Sequence, residues 1–168
     1  MSEPPYTWIM TSDLLPGMQA PVFQLPDQDG MMRTSTEFLG SWLILYFYPK
    51  DNTSACTAEA LAFTAVYEEL EALGVPVVGI SPDTPEKHRE FIQKHDLKLT
   101  LLADPQHSTI EEYGVWVLKK MYGREYMGVE RSTFLIDPHG IIAERWTKVK
   151  VKGHAEEVTA RLHTSLGH

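Results

Sequence analysis

"SWLILYFYPKDNTSACTAEALAF", residues 41–63, changes character twice along its length. "SWLILYFYP" is one continuous apolar and aromatic run without the polar alternation of a strand that faces water. It reads as a strand buried on both faces, in the middle of an α/β sheet. Polar and small residues follow Pro49. A helical pattern then opens at Cys56 and runs to Leu73, with Phe63, Val66, Tyr67, Leu70 and Leu73 on one stripe and Gly74 as its stop.

Working outward, "APVFQLPDQDGMM" (20–32) alternates around an Asp29-Gly30 turn and predicts a short hairpin. "VPVVGI" (75–80) and "LTLLAD" (99–104) read as two further buried strands. Between them "TPEKHREFIQKHDL" (84–97) is a helix with Pro85 and Glu86 in its first turn and Phe91, Ile92 and His95 inward. "HSTIEEYG" (107–114) is a short helix, and residues 116–130 read as a loop with several aromatics. "RSTFLIDPHGIIAERW" (131–146) predicts two strands joined at Asp137-Pro138-His139-Gly140, and "GHAEEVTARLHTSL" (153–166) an amphipathic helix. Strands alternating with helices, then a hairpin and a helix, make an α/β layer fold with a central mixed β-sheet flanked by helices. Residues 1–15 have no clear periodicity and are expected to form an N-terminal extension to a single domain over 16–168.

The chain of 168 residues carries a formal net charge of -8, against the basic face that nucleic acid or an anionic membrane surface requires. No apolar stretch approaches a membrane span, and the first residues lack the basic-then-apolar order of a secretory signal. With one cysteine there is no internal disulfide, and the cytoplasm is the expected compartment. No metal site is expected. His88 and His95 share a helical face seven residues apart, too far for one ion, and no H-E-x-x-H occurs.

That one cysteine, Cys56, stands beyond the carboxyl end of the central strand, at the start of a helix. Sites in open α/β sheets form there, where unpaired N–H groups and the helix dipole favour an anion. The reactive form of a cysteine is its thiolate. A helix terminus contributes about 1 kcal/mol, so a nucleophilic Cys56 needs further help. Thr53, three residues earlier, can offer a hydroxyl to the sulfur or to an atom bound to it. Arg131 opens the strand "RSTFLID". If that strand runs antiparallel to "WLILYFY", Arg131 faces Cys56 across the sheet with a permanent charge. No other arginine stands at such a strand mouth. Taken singly, these residues also have plain readings: Cys56 a small core residue, Thr53 a turn residue, Arg131 an edge charge.

Pro49, three residues, Thr53, two residues and Cys56 resemble the peroxiredoxin signature. The fuller "YFYPKDNT" followed by "CTAEA" is similar to the bacterioferritin-comigratory-protein (peroxiredoxin Q) branch. So are "APVFQLPDQDG", "GISPDTPEKHREF", "LLADP", "YGV", "RSTFLIDPHG" and "VKVKGHAEEV", in order from about Gly17 to Leu166. The resemblance implies a thioredoxin-like fold and a peroxidase with no metal, haem or flavin cofactor. Cys56 would attack a hydroperoxide and become a sulfenic acid. Arg131, the Thr53 hydroxyl and backbone N–H groups would stabilise the developing charges, and Pro49 would shield the sulfur. Glu59 would hold Arg131, although a plain solvent-exposed helix glutamate is equally consistent with its position.

The chain departs from that branch in two places. The resolving cysteine many members carry five residues after the first is here Leu61, and "TPEKHREFIQKHDL" has none. A sulfenic acid on Cys56 must then be reduced by an external thiol: thioredoxin, glutaredoxin with glutathione, or a small thiol. The usual Pro-Gly before the cysteine is replaced by Ser54-Ala55. A monomer or weak homodimer is expected. Two competing readings stand beside the peroxidase: a cysteine hydrolase, which needs a histidine base at Cys56, and a non-catalytic binding or holdase protein with an inert Cys56.

Overall fold

The computed structural model describes residues 14–167. Residues 1–13 of the expected N-terminal extension fall outside them. Of its last two residues, Leu14 packs against the core, and its carbonyl accepts from Arg145 at 2.9 Å.

A short hairpin comes first, β1 (Gln24–Pro26) and β2 (Met32–Thr34), turning at Gly30 as the Asp-Gly signal predicts. β3 (Leu43–Phe47) follows, then α1 (Ser54–Ala65), α2 (Tyr67–Ala72), β4 (Val77–Ser81), α3 (Pro85–His95), β5 (Thr100–Ala103) and α4 (Ser108–Glu112). The chain continues through β6 (Trp116–Met121), β7 (Arg124–Val129), β8 (Ser132–Ile136), β9 (Ile142–Trp146) and α5 (His154–Ser165). The main sheet has the order β5-β4-β3-β8-β9. β3, β4 and β5 are parallel, β8 runs antiparallel to β3, and β9 runs antiparallel to β8, back in the direction of the first three.

β3 is fully buried because both faces of the sheet are covered. Leu45 and Phe47 point into a core shared with Phe23, Phe38, Ile110 and Tyr113. Ile44 and Tyr46 point the other way, into a core shared with Ala60 and Phe63 of α1, Phe91 of α3, and Val158 and Leu162 of α5. Gly79 is the cross-strand partner of Tyr46, and a Cβ there would stand 2.9 Å from the Tyr46 ring. The missing side chain leaves room for that ring, which stacks on Tyr48 and lies tilted against Phe63.

Two expectations need correction. The single helix over 56–73 begins two residues earlier, at Ser54, and breaks at Val66 (φ -101°, ψ 9°) into α1 and α2. The break re-aims the second segment so that Leu70 is buried, while Val66 and Leu73 only flank the core. Residues 116–130 are no loop: they form the hairpin β6–β7. Its turn, Tyr122-Gly123, has positive φ at both residues, the geometry of a tight two-residue hairpin. An Asn-Gly or Asp-Gly pair would have announced that turn; tyrosine in the left-handed region does not.

Candidate active site

β3 ends at Phe47, and the loop through Pro49 delivers the chain to α1, whose N-cap is Thr53. The first helical hydrogen bond runs from Thr57 N–H to the Thr53 carbonyl at 2.9 Å. The N–H groups of Ser54, Ala55 and Cys56 precede it and crowd the positive end of the helix dipole. Cys56 lies in this first turn, with 2% of its surface exposed, while Thr53, Ser54 and Ala55 are exposed.

β8 pairs antiparallel with β3, Phe47 opposite Ser132, so the residue before β8 arrives beside the carboxyl end of β3. That residue is Arg131. Its Nη2 donates to Cys56 Sγ at 3.2 Å and its Nη1 to Glu59 Oε1 at 2.7 Å. One planar fork thus serves two acceptors one helical turn apart. Burial works against the guanidinium charge, but Glu59 and Cys56 beside it more than offset this and hold the arginine more strongly protonated than usual. Glu59 is buried, so the solvent-exposed reading of that glutamate does not apply. Burial lifts its carboxyl to about 7 even though Arg131 pulls the other way.

Thr53 makes a different bond from the one expected. Its hydroxyl donates to the Lys50 carbonyl at 2.9 Å, tightening the loop, and not to the sulfur. Pro49 is half-buried at the start of the same loop. Tyr46, whose own hydroxyl is buried without a partner, lies on the same face of the sheet. Burial, then the charges of Glu59 and Cys56, push its phenol well above the ordinary range.

Because the group that bonds the sulfur is an arginine, which cannot act as a base, the arrangement does not suit the Cys–His chemistry of a hydrolase. A cation and a helix terminus around a buried sulfur instead stabilise a thiolate and any negative charge that develops next to it. The apolar pocket lined by Phe23, Phe38, Leu43, Tyr113 and Ile136 lies on the opposite face of the sheet and has no part in this.

The AhpC/TSA family profile matches residues 16–145. A peroxiredoxin Bcp of Bacillus subtilis is 44% identical over 146 residues, 87% of this chain and 93% of its own. The chain belongs to the AhpC/TSA family. It is a peroxiredoxin, a thiol-dependent peroxidase. Among solved structures, PrxQ of Xylella fastidiosa aligns with a TM-score of 0.87 at 34% identity, covering 92% of this chain and 99% of that one. The bacterioferritin comigratory protein of Xanthomonas campestris, studied for alkyl peroxide reduction, gives 0.82 at 36%, covering 90% and 96%. The fold of this peroxiredoxin is therefore thioredoxin-like, as the resemblance implied.

A cluster the sequence did not announce lies at the other end of the peroxiredoxin's cysteine loop. Asp51, Asp83 and His88 are buried, with side-chain donor atoms within 4.8 Å of one another, the one such group of potential metal ligands among the described residues. They are already bonded to each other and to Tyr48, Ser81 and the Leu102 carbonyl. Among the described residues, no helix is long and apolar enough to cross a membrane.

Proposed function

We propose that this peroxiredoxin works as a one-cysteine enzyme in which Cys56 reduces hydrogen peroxide and organic hydroperoxides and is recycled by an external thiol. The observation that carries the reading is the Arg131 fork, bonded at once to Cys56 Sγ and Glu59 Oε1. The Cys56 thiolate attacks one peroxide oxygen, forming an S–O bond as the O–O bond breaks. The departing oxygen takes a proton and leaves as water or an alcohol, and the sulfur is left as a sulfenic acid. Negative charge moves from sulfur to the departing oxygen during this step. Arg131 and the free N–H groups of the first turn of α1 face that path and stabilise the charge throughout. Thr53 acts by shaping the loop through Lys50, and Pro49 by ending β3 and shielding the sulfur.

With no second cysteine in the chain, the sulfenic acid is returned by two equivalents of an outside thiol. The first displaces water to form a mixed disulfide, and the second releases Cys56 as a thiol. Thioredoxin, glutaredoxin with glutathione, or a small thiol each supplies that chemistry, and the cytoplasm keeps all three reduced. Cys56, Arg131 and Glu59 come from one chain, so the site is complete within a single domain, and the working form we propose is a monomer or weak homodimer.

The test is mass spectrometry of the reduced protein after one equivalent of hydrogen peroxide, with a sulfenic-acid trap. A fast adduct on Cys56, absent from Cys56→Ser and strongly slowed in Arg131→Ala, supports the reading. A wild-type adduct that forms no faster than on a free thiol would sink it.

A further inference from the structure

Cys56 is closed in where it sits, under Arg131 and against the core. A hydroperoxide is small, but an outside thiol must bring its own sulfur into line with a sulfenic sulfur at this position. The first turn of α1 and the loop before it must therefore move between the two half-reactions. What holds that loop down decides how readily they do.

The hold is at Asp51. Lys50 and Asn52 on either side are exposed, yet Asp51 is 6% exposed and points inward. Its Oδ1 accepts from the Tyr48 hydroxyl at 2.6 Å, and its Oδ2 lies 2.7 Å from His88 Nδ1. Its backbone N–H donates to Asp83 Oδ2 at 2.8 Å, the same oxygen that takes the Ser81 hydroxyl at 2.7 Å. His88 is fully buried in α3, and its Nε2 lies 3.0 Å from the Leu102 carbonyl. A carbonyl only accepts, so Nε2 donates. Nδ1 faces Asp51 Oδ2, and the nearby Tyr48 hydroxyl already spends its proton on Oδ1, so one proton bridges the ring and the carboxyl. The result is a buried hydrogen-bonded pair that ties the loop to α3, β4 and β5 together. Immediately after it Asn52 adopts φ 63°, a left-handed turn that asparagine tolerates, and the exposed residues 53–55 begin.

We propose that the Asp51–His88 pair is a clasp that sets the balance between the packed loop, which reacts with peroxide, and an opened loop, which an outside thiol can reach. Asp51 and His88 are positioning residues: neither touches the sulfur, and both act through the backbone of residues 52–56. The proposal rests on the external-thiol reading above. It adds that the fastest reduction of the sulfenic acid and the fastest attack on peroxide draw on opposite states of the same clasp.

The test separates the half-reactions in wild type, His88→Gln, Asp51→Asn and the milder Tyr48→Phe. Oxidation of Cys56 by hydrogen peroxide and reduction of the pre-formed sulfenic acid by dithiothreitol are timed in single turnovers. Amide exchange is followed over residues 54–58. Loosening the clasp slows oxidation and speeds reduction, each by about tenfold, with Tyr48→Phe in the same direction but smaller. Exchange at 54–58 rises about tenfold while β3 and β4 keep their protection. A purely structural role moves both chemical rates down together. That outcome, or exchange that rises in α3 but not at 54–58, overturns the clasp. If His88→Gln and Asp51→Asn do not fold, Tyr48→Phe, which removes a single hydroxyl, decides. If wild type forms no sulfenic acid, the peroxidase reading fails by itself, and the exchange data still judge the clasp.

Discussion

Glu59 places one carboxylate oxygen 2.7 Å from Arg131 and leaves the other, Oε2, buried without a hydrogen-bond partner. Half of a carboxylate is therefore satisfied and half is desolvated, which is why its carboxyl rises to about 7 in spite of a neighbouring guanidinium. In the folded protein Glu59 takes up a proton at a pH where the unfolded chain, with an ordinary value of 4.5, does not. Its contribution to stability is complete below 4.5 and is lost as pH rises through 7. The difference is worth roughly 3 kcal/mol. Glu59→Gln has no such titration, so the variant should gain on wild type between pH 5 and pH 8. Urea midpoints of both proteins at the two pH values measure this, and a constant difference between them would remove the desolvation argument.

The same fork predicts that Arg131→Lys is not conservative. A lysine is a point charge with no fixed pair of donors and cannot bond Cys56 Sγ and Glu59 Oε1 in the present geometry. Oxidation of Cys56 by hydrogen peroxide should slow by about tenfold or more. Arg131→Ala should slow it further. It also leaves Glu59 buried and unpaired, at a cost of about 3–5 kcal/mol above pH 7. Second-order oxidation rates and unfolding curves for the two variants separate the catalytic loss from the stability loss. A lysine variant as fast as wild type would mean that charge alone suffices.

Gly79 offers a prediction about the scaffold beneath the site. A Cβ at this position would stand 2.9 Å from the Tyr46 ring and from the Leu101 side chain, both fully buried. Neither has free space to move into, since the ring is stacked on Tyr48 and tilted against Phe63, and Leu101 is fully buried. Gly79→Ala should therefore destabilise the protein by about 1–3 kcal/mol even though it adds only a methyl. Thermal unfolding reads the change directly. An unchanged midpoint would show that the sheet yields more easily than its packing suggests.

What could be read from the sequence, and what could not, follows from how local each signal is. The burial of β3 was written in its unbroken apolar run. The meeting of Arg131 with Cys56 needed one extra step, the antiparallel course of β8. By contrast the Asp51–His88 contact joins residues 37 apart through the ends of a loop and a helix, and nothing in either segment names the other. The one available hint was His88 itself, in register with Phe91 and Ile92 on the stripe that faces the core. The β6–β7 hairpin was hidden because its turn uses tyrosine in a left-handed conformation. The Thr53 hydroxyl has two acceptors within reach of one turn, and spacing alone does not choose the Lys50 carbonyl over the sulfur.

The last prediction concerns Leu61, which stands five residues after Cys56 on α1 with 42% of its surface exposed. Two residues so spaced on an intact helix lie about 8 Å apart, beyond the roughly 7 Å that a disulfide spans. In L61C the new thiol can therefore reach an oxidised Cys56 only if the first turns of α1 unwind. Treated with one equivalent of hydrogen peroxide, L61C should form an internal disulfide, detected as the loss of both free thiols without a gain of oxygen mass. Its amide exchange over residues 54–61 should rise on oxidation. On the clasp proposal the disulfide should form faster still when L61C is combined with Tyr48→Phe, because a loosened loop would admit this thiol as it would an outside one. A sulfenic acid that persists in L61C, with no disulfide and no change in exchange, would show a rigid α1. The outside reductant would then have to reach Cys56 in its closed position.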